Sequence, residues 1–301
     1  MTNLVMLFVC LLAGVLLRAS HRVPDNAHVG VNAFIIHVAL PALILGSIHG
    51  ISLTSNLVWP VLMPWMLFTL SVGLFFMLSR SLSLPARTTG ALILSAGLAN
   101  TSFVGLPMIE TFYGSQGLAT GILIDQLGTY LVLSTLGIVV ACLCSQESAS
   151  GRSIAMRVVT FPPFIALVLA LALSGVDYPP WFASLLKRLG DTLAPLALVS
   201  VGLQLRLDQL AGNRATLGIG LGFKLVLGPL LLALIYFGLL HRTGETTRIT
   251  IFESAMGPQI GGAIVAIQYG LNPALITLMV GVGITLSFLT LPLWWSALAL
   301  V

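Results

Sequence analysis

Two stretches of the chain combine neutral hydrogen-bonding side chains with helix-breaking residues inside otherwise apolar runs: Asn100-Thr101-Ser102-Phe103-Val104-Gly105-Leu106-Pro107 and Met256-Gly257-Pro258-Gln259-Ile260-Gly261-Gly262. Proline lacks a backbone N–H and its ring clashes with the carbonyl four residues back, so neither stretch predicts a straight helix. In an apolar surrounding the freed backbone groups are tolerated only where protein or a water-filled cavity satisfies them, and paired breaks therefore predict a shared polar site. Backbone N–H groups at the start of a half-helix attract an anion. Asn100, Thr101 and Gln259 add neutral hydrogen bonds without a buried charge, while Gly105, Pro107, Gly257, Pro258 and Gly261 shape the breaks. The competing reading is a pair of packing kinks, because Pro and Gly are common in membrane helices.

Four ionisable residues interrupt apolar runs: Glu110, Asp125, Lys224 and Glu253. An ionisable group at such a depth faces a cavity or a partner. Asp125, with Gln126 beside it, lies one helix after the first break, and Glu253 lies one turn before the second, so either is placed to bind and release a coupling proton. For Glu253 the alternative is an ion pair with Lys224. Glu110 follows Pro107 by three residues and marks the mouth of that segment. His37, one turn before Pro41, and His49 read as packing or interface residues. Asp191 stands four residues from Lys187 and three from Arg188, spacing suited to a local helical pair. Cys10, Cys142 and Cys144 form no CxxC pair and no Cys/His cluster, so neither a disulfide framework nor a metal site is expected, and no cofactor is implied.

The elements that must position these groups follow from composition. The 301 residues are 57% hydrophobic and 7% charged, with a mean hydropathy of +1.06. Soluble domains carry about 25% charged residues, which excludes a soluble enzyme and makes the bilayer the solvent. Apolar runs between charged or Pro/Gly-rich breaks predict ten spans, near 3–17, 29–49, 56–79, 88–112, 117–144, 157–175, 184–204, 215–240, 248–269 and 272–299. The first is short enough to suggest a signal peptide, but no cation precedes it and Arg18 and Arg22 follow it, so it reads as a span. The pI near 9.3 does not indicate nucleic acid, since 12 of the 13 cations fall in the short gaps between apolar runs or within about four residues of a run's end. Arg18, Arg22, Arg80, Arg87, Arg152, Arg157, Arg206 and Arg214 would share one side, and Lys187, Arg188, Arg242 and Arg248 the other, which places the first group in the cytoplasm and both termini outside.

The stretches ending Phe112-Tyr113-Gly114 and Gln268-Tyr269-Gly270 superpose at an offset of 156, which also matches Gly105 with Gly261; Pro41 and Pro195 match at 154. The predicted unit is half the chain, residues 1–150 and 151–301. An odd number of spans per unit inserts the second copy upside down, an architecture associated with secondary transporters.

NTSFVGLP followed by Tyr113-Gly114, together with MGPQ followed by Tyr269 and Asn272-Pro273, resembles the auxin efflux carrier family, including its small bacterial permeases. The resemblance runs from Leu40-Pro41 to the last span. It implies an all-α membrane fold like that of bile acid symporters, with a scaffold of spans 1, 2, 6 and 7 that mediates a homodimer and a transport domain of spans 3–5 and 8–10 in which broken spans 4 and 9 cross. By position, Asn100, Pro107 and Pro258 would lie at a substrate carboxylate. The short connector from Ser145 to Arg157 departs from the long hydrophilic loop of plant members, which argues against auxin itself; the resemblance to bacterial members implies a small organic anion, a carboxylate such as malonate or malate or an auxin-like acid. The bacterial relatives imply the cytoplasmic membrane and elevator-type alternating access, with H+ or Na+ as coupling ion. HExxH, GxSxG and GxGD motifs are absent, which argues against an intramembrane hydrolase. A channel or a membrane sensor of the same fold is the competing function.

Overall fold

The computed structural model describes residues 2–48, 58–145, 152, 155–156, 159–173, 176–205 and 210–301. His49, Arg157 and Arg206 lie outside the described residues. The described chain is helical, and its one pairing of β type is an isolated antiparallel bridge between Ala99 and Pro258.

The helices, in chain order, are α1 (Thr2–Ala19), α2 (Ala27–Phe34), α3 (Leu40–Ile48), α4 (Val58–Ser81), α5 (Ala86–Ala96), α6 (Leu106–Tyr113), α7 (Leu118–Leu123), α8 (Tyr130–Val132), α9 (Ile138–Cys144), α10 (Pro162–Ala172), α11 (Pro180–Asp191), α12 (Leu193–Gln204), α13 (Leu210–Gly222), α14 (Gly228–Ala233), α15 (Glu245–Ser254), α16 (Ile260–Gln268) and α17 (Pro273–Leu298). Several are joined end to end by wide π-type turns. Among the described residues, five continuous segments are long and apolar enough to cross a bilayer: Ala27–Gly46, Val58–Ser81, Leu118–Cys144, Leu210–Leu239 and Pro273–Leu298. Val9–Ala19 and Pro162–Ala172 are shorter apolar helices.

Three of the π turns share a cause. Ile35–Ala39, Thr101–Gly105 and Phe223–Leu227 each end two residues before a proline: Pro41, Pro107 and Pro229. A widened turn takes up the missing N–H and relieves the ring's clash with the preceding turn, so the helix passes through the proline instead of stopping. The repeated Tyr-Gly pairs also have a structural counterpart. Gly114 (φ +77°) and Gly270 (φ +67°) follow the ends of α6 and α16 in the left-handed conformation that favours glycine.

Outward-facing apolar residues form stripes at helical spacing, as on α1, where Val5, Val9, Leu12 and Leu16 are exposed. Such a surface suits acyl chains. Inside, α1 packs on α12, and α3 packs on α10 and α11. Around α4 lie α5 and the Ile124–Thr129 turn, and α17 packs on α5, α13 and α16. At the α1–α12 contact Gly14 and Gly202 face each other: a Cβ added to Gly202 would stand 2.3 Å from the Leu11 carbonyl oxygen and 2.9 Å from Gly14 Cα. Only glycine permits that approach of backbones.

Candidate functional site

Both predicted breaks are present, and they meet. The first lies at residues 97–100, between α5 and the helical run Thr101–Gly105 plus α6; the second lies between α15 and α16. Asn100 N–H donates to Gly257 O (2.9 Å) and Gln259 N–H donates to Leu98 O (3.2 Å), the two bonds that flank the Ala99–Pro258 bridge. Backbone groups freed at one break are thus satisfied by the other. The position of the first break differs from the expectation built on Pro107. That proline sits in the first turn of α6 behind a π turn and interrupts nothing, whereas Pro258 is at the crossing itself.

Asn100 caps the second half of the first broken helix. Its Oδ1 accepts from Phe103 N–H (3.2 Å) and Val104 N–H (3.4 Å). Those two donors fix which end of the amide is oxygen, since an NH2 group there would face N–H groups. Nδ2 is therefore the remaining end, and it is buried without a partner. Gln259 Oε1 and Gln126 Oε1 are likewise buried and unpartnered. Gly261 stands beside the Gln259 side chain in the first turn of α16, where an added Cβ would lie 3.9 Å from Gln259 Nε2. The two half-helices that begin at Thr101 and Ile260 bring their N-terminal, electropositive ends to this crossing.

Asp125 is fully buried and accepts at both oxygens. Thr101 Oγ1 (2.5 Å) and Ser102 Oγ (2.7 Å) donate to Oδ1, and Gln126 Nε2 (2.7 Å) donates to Oδ2. Thr101 Oγ1 also lies 3.1 Å from Thr129 Oγ1. These partners favour the carboxylate form. Ser102 and Thr129 were not singled out in the sequence, although Thr129 stands one helical turn after Asp125, a spacing that would have found it.

Glu253 and Lys224 are also fully buried. They do not pair with each other. Lys224 Nζ donates to Ser254 O (2.7 Å), the carbonyl end of α15, while both oxygens of Glu253 are without a hydrogen-bond partner. The Glu253 carboxylate lies against Gly105 and Gly121: a Cβ on Gly105 would be 2.6 Å from Oε2, and one on Gly121 would be 3.2 Å from Oε1. Glu110 and His37 are exposed, and Lys187 Nζ meets Asp191 at 2.6 Å on an exposed helix face, the local pair that their spacing predicted.

The crossing is closed, with Asn100, Gln126 and Gln259 all at most 4% exposed. A cavity of about 440 Å3 opens elsewhere, lined by Arg18, Asp25, His28, Leu203, Ile267 and Asn272 among others. A second, of about 270 Å3, shares His28 and Ile267 with it and runs along α2 past Asn32 and His37. Together they separate α1 and α2 from the end of α16 and the start of α17.

The family of membrane transport proteins matches residues 1–295. The chain belongs to that family. This agrees with the resemblance to the auxin efflux carriers read from the two broken-helix motifs. An uncharacterized transporter of Methanothermobacter thermautotrophicus is 29% identical over 289 residues, covering 95% of this chain and 94% of the relative. An uncharacterized transporter of Methanocaldococcus jannaschii is 26% identical over 272 residues, covering 87% of each. The protein is therefore a multi-pass integral membrane protein of a transporter family.

Proposed function

We propose that this transporter moves a small organic anion, a carboxylate of the size of malonate or malate, by elevator-type alternating access, and that the anion binds at the crossing. The observation that carries the reading is the free Nδ2 of Asn100, a buried donor without a partner at the start of a half-helix. A buried donor left unsatisfied costs about 1–3 kcal/mol, a cost that a ligand supplying an acceptor would remove. A carboxylate is the fitting acceptor, since it also gains from the two half-helix N-termini.

On this reading the chain crosses the membrane ten times as two inverted repeats. Three long-range contacts support that layout by joining connectors it assigns to the same side. Arg18 Nη1 donates to Leu205 O (2.9 Å), and Asn272 Nδ2 donates to Thr88 Oγ1 (3.1 Å). On the opposite side the Arg242 guanidinium lies 4.8 Å from the centre of the Trp59 ring. The closed crossing and the cleft between α1–α2 and α16–α17 fit a carrier in which one group of helices slides against the other. The packing of α1 on α12 and of α3 on α10 and α11 supports a separate scaffold.

Counterflow in proteoliposomes tests the function, with radiolabelled malonate and malate as probes. A carrier exchanges label against unlabelled anion on the far side. Binding without flux would make the protein a sensor, and flux without counterflow a channel. For the layout, a C-terminal reporter active only outside the cytoplasm is expected to give signal, because the cation asymmetry puts both termini outside; signal from a cytoplasm-specific reporter would overturn it.

A further inference from the structure

Among the described residues, the buried Asp, Glu, Lys and Arg side chains are Asp125, Lys224 and Glu253. They form one group: the Glu253 carboxylate lies against Gly105 and Gly121, each one helical turn from Asp125 or from its partner Thr101, and the next residue, Ser254, accepts from Lys224. With all three ionised the group sums to one negative charge, two carboxylates against one ammonium. A net charge enclosed in an apolar interior is expensive, so one position must be neutralised by a bound cation or a proton.

The hydrogen bonds decide between the three. Asp125 has three hydrogen-bond partners, which favour its charged form over that of a carboxylate with none. Lys224 donates to the carbonyl of Ser254, at the electronegative end of the half-helix α15. Glu253 receives nothing at either oxygen, and a desolvated carboxylate without a donor is the costliest of the three to keep charged. The other elements packed on α15 offer no compensating charge. Among them α7, α14 and α17 hold no ionisable residue, and Arg80 of α4 is exposed. From α6 come Glu110, which is exposed, and the part-buried Tyr113, whose ring packs on Phe252 and whose charged neighbours are Arg248 and Glu245 of α15 itself.

We propose that Glu253 is the group that carries the coupling proton, and that Lys224 occupies, as a tethered cation, the carbonyl end of α15 where a coupling metal ion would otherwise bind. Carbonyls at half-helix ends are a common seat for Na+ in carriers with broken helices; here the Ser254 carbonyl is already taken by Nζ. The proposal rests on the transport reading above. Its step is a proton transfer alone: the O–H bond of the Glu253 acid breaks when the crossing opens to water, the electron pair stays on the carboxylate, and the proton goes to a water molecule on that side. Coupling follows because the closed state tolerates the cluster only when Glu253 is neutral.

Infrared difference spectra of the purified protein in nanodiscs test the protonation without any substrate. The expected result is a carbonyl-stretch band of a protonated carboxylic acid at neutral pH, lost in Glu253→Gln and kept in Asp125→Asn. Glutamine is the neutral isostere of the protonated acid, so that variant should fold. A wild-type spectrum without the band, or a band that survives Glu253→Gln, overturns the proposal. Uptake of radiolabelled malonate or malate tests the coupling. At clamped voltage, each proton moved with the anion makes a gradient of one pH unit worth about a tenfold accumulation. That ratio should fall to about one in Glu253→Gln, and Na+ should have no effect on the wild type. A several-fold stimulation by Na+ overturns the role of Lys224. A Glu253 band with no counterflow of either probe refutes the carrier reading and the coupling with it, while a missing band alongside intact counterflow refutes the coupling alone.

Discussion

Asn100→Ser is expected to bind malonate or malate about 10-fold to 150-fold more weakly than the wild type while melting no lower than it, since the buried unpartnered donor goes and the cap stays. The two effects separate because the two ends of the Asn100 amide do different things. Oδ1 caps the helical run that begins at Thr101 by accepting from Phe103 and Val104, and serine is as good an N-cap as asparagine. Nδ2 has no partner and is the end offered to a substrate carboxylate. Its removal deletes a charge-assisted hydrogen bond worth about 1.5–3 kcal/mol, which converts to the stated loss of affinity. Asn100→Ala removes both ends and should lose affinity by a similar factor, the missing cap lowering its stability by about 0.5–2 kcal/mol relative to Asn100→Ser. Ligand titrations followed by thermal shift measure both quantities in one experiment. Wild-type affinity in a stably folded Asn100→Ser would place the anion elsewhere and reduce the crossing to a pair of packing kinks.

The sequence made the chemistry-bearing residues legible because burial of polar groups in lipid is expensive and hence conspicuous. Asp125, Lys224 and Glu253 stand out in apolar runs for that reason, and all three are fully buried. The existence of both breaks was legible in the same way, from Pro and Gly in otherwise apolar stretches. Their pairing was not: the Ala99–Pro258 bridge joins residues far apart in the chain, and no local pattern encodes it. The first break was displaced towards Pro107 because a missing N–H looks like an interruption, whereas the wide Thr101–Gly105 turn absorbs it. Lys224 was equally ambiguous. Sequence gives a cation and an anion in neighbouring spans, and only geometry shows that the ammonium serves a helix end rather than the Glu253 carboxylate. The double duty of Asn100, one end a cap and the other free, belongs to the same class of information, since both ends of an amide read alike until their neighbours are known.

Two glycines with tight surroundings should respond to alanine in different ways, and the difference separates scaffold from mechanism. In Gly202→Ala the new Cβ would meet Leu11 O at 2.3 Å, Gly14 Cα at 2.9 Å and Val15 N at 2.9 Å, all backbone atoms of α1. No rotamer change relieves such contacts, so α1 and α12 must move apart, at a cost of about 1–3 kcal/mol or more for overpacking. Gly105→Ala meets Glu253 Oε2 at 2.6 Å, Oε1 at 2.7 Å and Cδ at 2.9 Å, the far end of one flexible side chain. That carboxyl group can swing aside, so the helices need not separate, but Glu253 leaves the place it holds beside the crossing. Thermal unfolding in detergent should therefore show a clear loss of stability for Gly202→Ala and a much smaller one for Gly105→Ala, and counterflow measured on protein that remains folded should be depressed in Gly105→Ala. Equal stability losses in the two variants would mean that the first broken helix is as rigidly held against α15 as α1 is against α12, a packing incompatible with a crossing that must loosen to release its anion.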